Sequence, residues 1–207
     1  MESSKSDKVT EIEQGQSFFD LSSLVLLNKI GSGGFGKVYK VKSKDKQIYA
    51  AKISRNIITD YSDNIFTDIS REVNIISKLN HASVLKFIGY SPINFKKKPK
   101  PVIITEYASN GSLEDLIQLD RETNDKILTD TKKIIIVYGI ASALSFLHSH
   151  NILHRDLKPG NVLLNDYLFP KIADFGLSKV NHLNTESMTM KSMAGIVGTP
   201  KYMAPEI

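Results

Sequence analysis

Cysteine is absent from the 207-residue sequence. That excludes disulfides and cysteine-based zinc sites, and it fits a reducing compartment. No stretch approaches the ~18 apolar residues of a membrane span. The opening segment, MESSKSDKVTEIEQGQ, is polar and lacks the apolar core of a secretory signal. No internal repeat is visible. The charge is not strongly of one sign either: 27 basic against 22 acidic side chains leave +5, compatible with phosphate binding but no demonstration of it. The sharpest basic run, Lys96-Lys97-Lys98-Pro99-Lys100, reads as a solvated loop rather than a nucleic-acid or nuclear-import patch. Pro99 and Pro101 bracket it, and no aromatic residue interleaves it.

What is present is a 41% hydrophobic, 24% charged chain with an ordinary globular balance, long enough for one core or two small lobes. Residues 1–18 read as a flexible leader. From Leu24 the pattern becomes β: LVLLNKI, GSGGFG, KVYKVKS, a polar KDKQ turn, then IYAAKIS, or three antiparallel strands with glycines at the first turn. IFTDISREVNIISKLN switches to helical spacing, with Ile69, Val73, Ile76 and Leu79 on one face. VLKFIGY and PVIITEY read as two further strands. SLEDLIQL is a short helix opened by Ser112, with Asp115 as cap partner. DTKKIIIVYGIASALSFLHSH is a long helix with a stripe of Ile134, Val137, Ala141, Leu144 and Leu147. NVLLN and PKIADF follow in loop-rich company.

Gly31-x-Gly33-x-x-Gly36 is weak evidence alone. In dinucleotide-binding folds this spacing opens a helix, whereas here a strand follows. A glycine-rich turn between strands can lie over a nucleotide and offer backbone N–H groups to phosphates. Lys52 stands in an apolar strand, where an unpaired charge is costly, and Glu72 on the following helix is a candidate partner. His148, His150 and His154 cluster in HSHNILH, but no acidic pattern completes a metal site.

ILHRDLKPGNVLLN, KIADFG and APE complete a set. Glycine loop, strand lysine, H-R-D-L-x-x-x-N, D-F-G and A-P-E occur in one order, and the chain resembles the eukaryotic protein kinase family from Leu24 to Ile207. The resemblance implies a two-lobed α+β fold: a five-stranded antiparallel N-lobe with one helix over 24–106, a hinge at 107–111, and a mostly helical C-lobe from 112 that stops after A-P-E. It implies ATP and Mg²⁺ as cofactors and protein Ser/Thr hydroxyls as acceptors. Gly31, Gly33 and Gly36 would cover the phosphates, with Ile30 beside them, and Lys52 would hold the α/β-phosphates while paired with Glu72. Asp156 would be the base, Lys158 would face the transferred phosphate, and Asn161 and Asp174 would hold the metal. Val38, Ala50 and Leu163 would enclose the adenine, Glu106 and Ala108 would present backbone groups to its edge, and Thr105 would be the gatekeeper.

Lys158 together with GTPKYMAPE is similar to serine/threonine enzymes, with Thr199 touching Lys158 and Asp156. HASVLKFIGY and EYASNGSLEDLI resemble the tyrosine-kinase-like group. Gly160 stands where a glutamate is common, which weakens any expectation of a substrate preference for basic residues. Arg155 would pair with a phosphate on the segment 174–206, with Ser192 the candidate acceptor. The resemblance also implies helices beyond A-P-E that would cover KIIIVYGIASALSFL and pair with Glu206. On that reading the N-lobe folds alone, residues 107–207 are marginal, and the alternative function is a non-catalytic, pseudokinase-like ATP-binding or scaffold module. A cytoplasmic setting is expected, with the nucleus left open.

Overall fold

The computed structural model describes residues 19–33, 36–57, 64–123, 126–180 and 198–205. Contacts divide the chain into two units. One takes in the residues up to Lys78 together with Phe87–Tyr107. The other takes in Leu79–Lys86 and the residues from Ala108 onward. The leader, the hydroxyls Thr185, Ser187, Thr189 and Ser192, and Glu206 lie outside the described residues.

The first unit is a five-stranded antiparallel sheet in the order β1-β2-β3-β5-β4, with one helix. Its strands are β1 (Leu24–Ser32), β2 (Gly36–Ser43), β3 (Ile48–Ser54), β4 (Phe87–Ser91) and β5 (Val102–Glu106), and its helix is α1 (Asn64–Ile76). Side chains alternate across a pleat, so the register sorts them into two faces. Val41 and Ala51, with Val102 and Ile104 of β5, join Leu24 in the buried core, against which Tyr49, Ile53, Ile88 and Phe95 pack. Val38 pairs with Lys52 and Lys52 with Ile103, while Ala50 pairs with Thr105. Val38, Ala50, Lys52 and Thr105 therefore share the opposite face with the buried Ile103.

The glycines at the β1–β2 turn have different reasons to be glycine. A Cβ on Gly36 would stand 2.1 Å from the Ile53 carbonyl oxygen, so β3 leaves no room for a side chain there. A Cβ on Gly33 would meet nothing within 4 Å. The Gly33 amide closes the turn on the Gly36 carbonyl at 2.9 Å. Of the expected phosphate-facing amides this one is already spent, and Gly34 and Phe35 lie outside the described residues.

The second unit contains α2 (Leu113–Glu122), α3 (Asp130–Ser149) and the short strands β6 (Ile152–Leu153), β7 (Val162–Leu164), β8 (Pro170–Ile172) and β9 (Lys179–Val180). β6 pairs with β9 and β7 with β8, both antiparallel. Helix α2 begins with the expected capping box: the Ser112 side chain accepts from the Asp115 amide while Asp115 accepts from the Ser112 amide. Thr129 caps α3. Gly139 lets α3 approach β8 closely, since a Cβ there would stand 2.5 Å from a Pro170 ring carbon.

Helix α3 departs from the expected stripe. Ile136, Gly139, Ala143 and Leu147 are its buried positions. Of the stripe residues only Leu147 is among them, while Ile134 and Val137 are 69% and 65% exposed. The reason is compositional. The helix is apolar on nearly every side, so periodicity alone does not single out the covered face. No described helix is long and apolar enough to cross a membrane.

His154 fastens the β6–β7 connection to the end of β8. Its Nδ1 accepts the Asp156 amide at 3.4 Å, and its Nε2 donates to the Ala173 carbonyl at 2.9 Å. The Phe175 ring meets it edge-on at 5.0 Å. A backbone amide can only donate and a carbonyl only accept, so this arrangement fits the neutral ring with its proton on Nε2. Burial holds its pKa below the ordinary 6.5, and the bond to Ala173 only partly offsets that. As pH falls below 6.5 the unfolded chain takes up a proton that the folded ring resists. Stability from this group is therefore full above 6.5 and lost as pH drops toward the folded pKa. The melting temperature of the native chain should fall more steeply between neutral and mildly acidic pH than that of His154→Phe. Equal slopes would remove His154 from the acid response.

A paired substitution checks the glycine assignment by thermal melting. Gly36→Ala should destabilise by about 1–3 kcal/mol, as overpacking does. Gly33→Ala should stay within about 0.5 kcal/mol of the native chain.

Candidate active site

In the first unit, Lys52 lies on the inner strand β3, and Glu72 is carried by α1. The Lys52 Nζ–Glu72 Oε1 distance is 2.7 Å, with side-chain exposures of 23% and 9%. Val73, Ile75 and Ile76 are buried alongside Glu72, which fixes the helix face that carries it. Removing either partner would leave a poorly hydrated charge uncompensated, which is far costlier than losing an exposed pair. Ile30 of β1 is 41% exposed. Glu106 ends β5, and the Thr105 hydroxyl, half-buried, donates to the Glu106 carbonyl at 3.1 Å.

In the second unit, three expected residues converge on the carboxylate of a fourth, Asp156. Thr199 donates its hydroxyl hydrogen to Asp156 Oδ1 at 2.7 Å. Lys158 Nζ stands 2.9 Å from Asp156 Oδ2 and donates to Thr199 Oγ1 at 2.7 Å. The Asn161 side-chain amide donates to Asp156 Oδ2 at 2.9 Å and to the Asp156 carbonyl at 2.8 Å. Burial pushes the Asp156 carboxyl up, but the hydrogen bonds from Thr199, Lys158 and Asn161 and the Lys158 charge outweigh it. Its pKa therefore lies below the ordinary carboxylate value. The group is an ionised, hydrogen-bonded acceptor at neutral pH.

The backbone that presents these groups is itself unusual. Arg155 and Asp174 are non-glycine residues at φ +64°, in the left-handed region that costs a side chain energy and clusters at functional sites. Arg155 is anchored through Nε to the Leu177 carbonyl at 2.7 Å. Asp174 follows Ala173, whose amide donates to the Asn161 carbonyl at 2.9 Å. Gly198, at φ +123°, passes so close to Arg155 that a Cβ would stand 2.6 Å from its carbonyl oxygen. The structure thus brings Arg155, Asp156, Lys158, Asn161, Asp174 and Thr199 into one bonded neighbourhood. Leu163 lies on β7, and Ala108 lies just before the Ser109–Gly111 turn that bonds to the β7–β8 hairpin.

Two features were not anticipated from sequence. Ser178 is fully buried and donates to the His154 carbonyl at 3.3 Å. Gly198 is needed beside Arg155. Both depend on contacts between residues more than twenty positions apart, which local spacing does not encode. Of the other histidines in HSHNILH, His150 packs on Phe146 with ring centroids 4.4 Å apart.

Residues 24–207 match the family model described as protein kinase domain. The chain is 35% identical over 182 residues to a probable L-type lectin-domain containing receptor kinase S.5 of Arabidopsis thaliana, covering 86% of this chain and 26% of that protein. It is 33% identical over 180 residues to the dual specificity protein kinase shkB of Dictyostelium discoideum, covering 86% and 26%. A probable LRR receptor-like serine/threonine-protein kinase of Arabidopsis thaliana is 33% identical over 211 residues, covering 100% and 20%. The chain thus spans a fifth to about a quarter of the length of these curated relatives. With the family model matched from the first strand to the last residue, the chain belongs to the protein kinase family.

Proposed function

We propose that this chain is the catalytic part of a serine/threonine protein kinase, which moves the γ-phosphoryl group of ATP to a protein hydroxyl. The observation that carries the reading is the Asp156 carboxylate, held ionised by Thr199, Lys158 and Asn161. In this role Asp156 accepts a hydrogen bond from the acceptor hydroxyl, aligns its oxygen and takes its proton as the new O–P bond forms and the β–γ bridge bond breaks. A carboxylate with a lowered pKa is a weak base. That suits a loose transition state, in which alignment matters more than early deprotonation. Lys158 supplies a fixed cation for the charge on the phosphoryl oxygens. Thr199 hydrogen-bonds both, so the segment around residue 199 must be in place for either to be aimed.

Asn161 also tests the fit to Mg²⁺. It is 7% exposed, its amide nitrogen is spent on Asp156, and among the described residues no hydrogen bond reaches its amide oxygen. A buried oxygen without a donor suits a cation. With the Asp174 carboxylate it gives a small set of hard oxygen ligands of the kind Mg²⁺ accepts while keeping waters and phosphate oxygens. When bound, the ion would neutralise charge on the phosphates. Lys52, held by Glu72, would contact the phosphates of the nucleotide, and Gly33, free of packing demands, would allow them a close approach. Arg155 would dock a phosphorylated side chain of the segment after Asp174. A cytoplasmic setting belongs to the same proposal.

Phosphate transfer from Mg-ATP to a generic Ser/Thr protein substrate tests this directly. Asp156→Asn should lower the rate by ~10²-fold or more, the scale of a positioned general base. Asp174→Asn should abolish it. Transfer that survives both substitutions would sink the reading. A melting temperature raised by Mg-ATP without any transfer would favour the non-catalytic alternative.

A further inference from the structure

We propose that the lysine hairpin between β4 and β5 is a docking surface for an acidic extended strand, and that its occupant is the chain's own leader around Glu11 and Glu13. The inference does not depend on the kinase reading.

The hairpin is built rather than loose. Asn94 Oδ1 accepts the amides of Lys96 and Lys98 at 2.9 and 3.1 Å. The Asn94 amide donates to the Lys98 carbonyl at 3.0 Å and the Lys97 amide to the Asn94 carbonyl at 2.8 Å, with Lys97 at φ +55°. Phe95 packs on the core of the sheet, and Lys100 Nζ donates to the Arg55 carbonyl at 2.6 Å. Lys96, Lys97 and Lys98 are left exposed, and among the described residues no carboxylate pairs with them. From Tyr90 to Pro101 the sequence holds no acidic residue. Three like charges presented by one fixed turn repel one another and favour an anion of more than one charge.

The path of the chain selects that anion. β1 begins at Leu24, which pairs with Ser43 at the far end of β2. The hairpin rises from the other end of the sheet, where Gly36 pairs with Ser54 and Ser91 with Val102. Traced backward from Leu24, the chain crosses the core face through Leu21 and Phe19. The Phe19 amide donates to the Tyr90 carbonyl at 2.8 Å, and the Phe19 ring lies where a Cβ on Gly89 would stand, 2.5 Å from its Cδ2. The leader therefore departs beside the end of β4 that leads into the hairpin, on the face where Phe95 packs. The first charged residues upstream of Asp20 are Glu13 and Glu11, and no basic residue follows Lys8. Six residues separate Glu13 from Phe19, an extended reach of about 20 Å. Residues two apart in a strand share a face, so both carboxylates can meet the lysines together. Each exposed ion pair is weak. A segment tethered beside its site acts at a high effective concentration, which weak pairs suffice to use.

The chain has no cysteine, so introduced pairs report where the leader rests. Gly15 shares a face with Glu11 and Glu13, and Ile93, 44% exposed, stands at the base of the hairpin. The full chain with Gly15→Cys and Ile93→Cys is compared under mild oxidation with Gly15→Cys and Gln47→Cys, whose second cysteine lies on the β2–β3 turn at the opposite end of the sheet. The Ile93 pair should close about fivefold faster or more, the scale of two exposed ion pairs. Glu11→Lys with Glu13→Lys should bring it down to the control rate, as should Lys96→Glu with Lys98→Glu. Combining the two reversals should restore it, which separates charge pairing from damage to the fold. Added salt should slow the Ile93 pair alone. Equal closure of the two pairs overturns the proposal, and so does a rate that ignores either reversal or is not restored by both. Disulfides that form between chains assign the surface to a second copy. Sedimentation with phosphatidylserine vesicles that needs the lysines, with the Ile93 pair closing only at the control rate, assigns it to a membrane. Either result overturns the leader as its occupant.

Discussion

The second unit is organised around an ionised carboxylate that has been taken partly out of water. Asp156 loses hydration on folding, and the chain returns hydrogen bonds from Thr199, Lys158 and Asn161. The donors come from within five residues on one side and from more than forty residues away on the other. A charged group this demanding couples distant parts of the chain, because each donor is also held elsewhere. Asn161 is tied through its carbonyl to Ala173, Ala173 to His154, and His154 back to the Asp156 amide. The neutral His154 ring closes this loop of bonds. A second donor hydrogen on it would face the Asp156 amide, so the ring state and the loop geometry are set together.

That coupling accounts for the strained backbone. Arg155 and Asp174 both adopt left-handed φ, and Gly198 occupies a region open mainly to glycine. At a non-glycine residue such a φ costs of order 1–3 kcal/mol and persists only where the surroundings over-determine it. Here they do. Arg155 flanks Asp156 and is anchored to Leu177, Asp174 follows the pinned Ala173, and Gly198 precedes Thr199. Elsewhere in this unit left-handed φ occurs at the non-glycine residues Asn151 and Leu168, which lie in turns, while the flanking strands β7 and β8 remain regular.

Much of this was legible in the sequence, for a physical reason. Strand alternation, helix caps and turn glycines are local, and the five strands, α1 and the Ser112 cap follow from them. Lys52 and Glu72 could be paired because an apolar strand cannot carry a lone cation. Helix α3 was the clearest misreading. Its sequence is apolar around most of the helix, so several faces would satisfy the same periodicity. What decides between them is which face the neighbouring elements dock on, and Gly139 lets β8 come close to it. Burial of Ser178 and the approach of Glu114 to Gly160 were also hidden, since both depend on how separate elements dock.

The glycines show most clearly where packing ends and chemistry begins. Gly36 is glycine because a β3 carbonyl fills the space of its Cβ, and Gly139 because a proline ring does. Gly33 has no such neighbour among the described residues, and its conformation does not demand glycine. A residue whose small size is unused by its own structure leaves room for something outside it. Gly160 lies between these cases. Its space is filled by the mobile end of an acidic side chain rather than by backbone, so a methyl group there would be accommodated by moving Glu114. The fold could tolerate alanine at position 160. What alanine would disturb is the position of the Glu114 carboxylate, at the end of a flexible side chain.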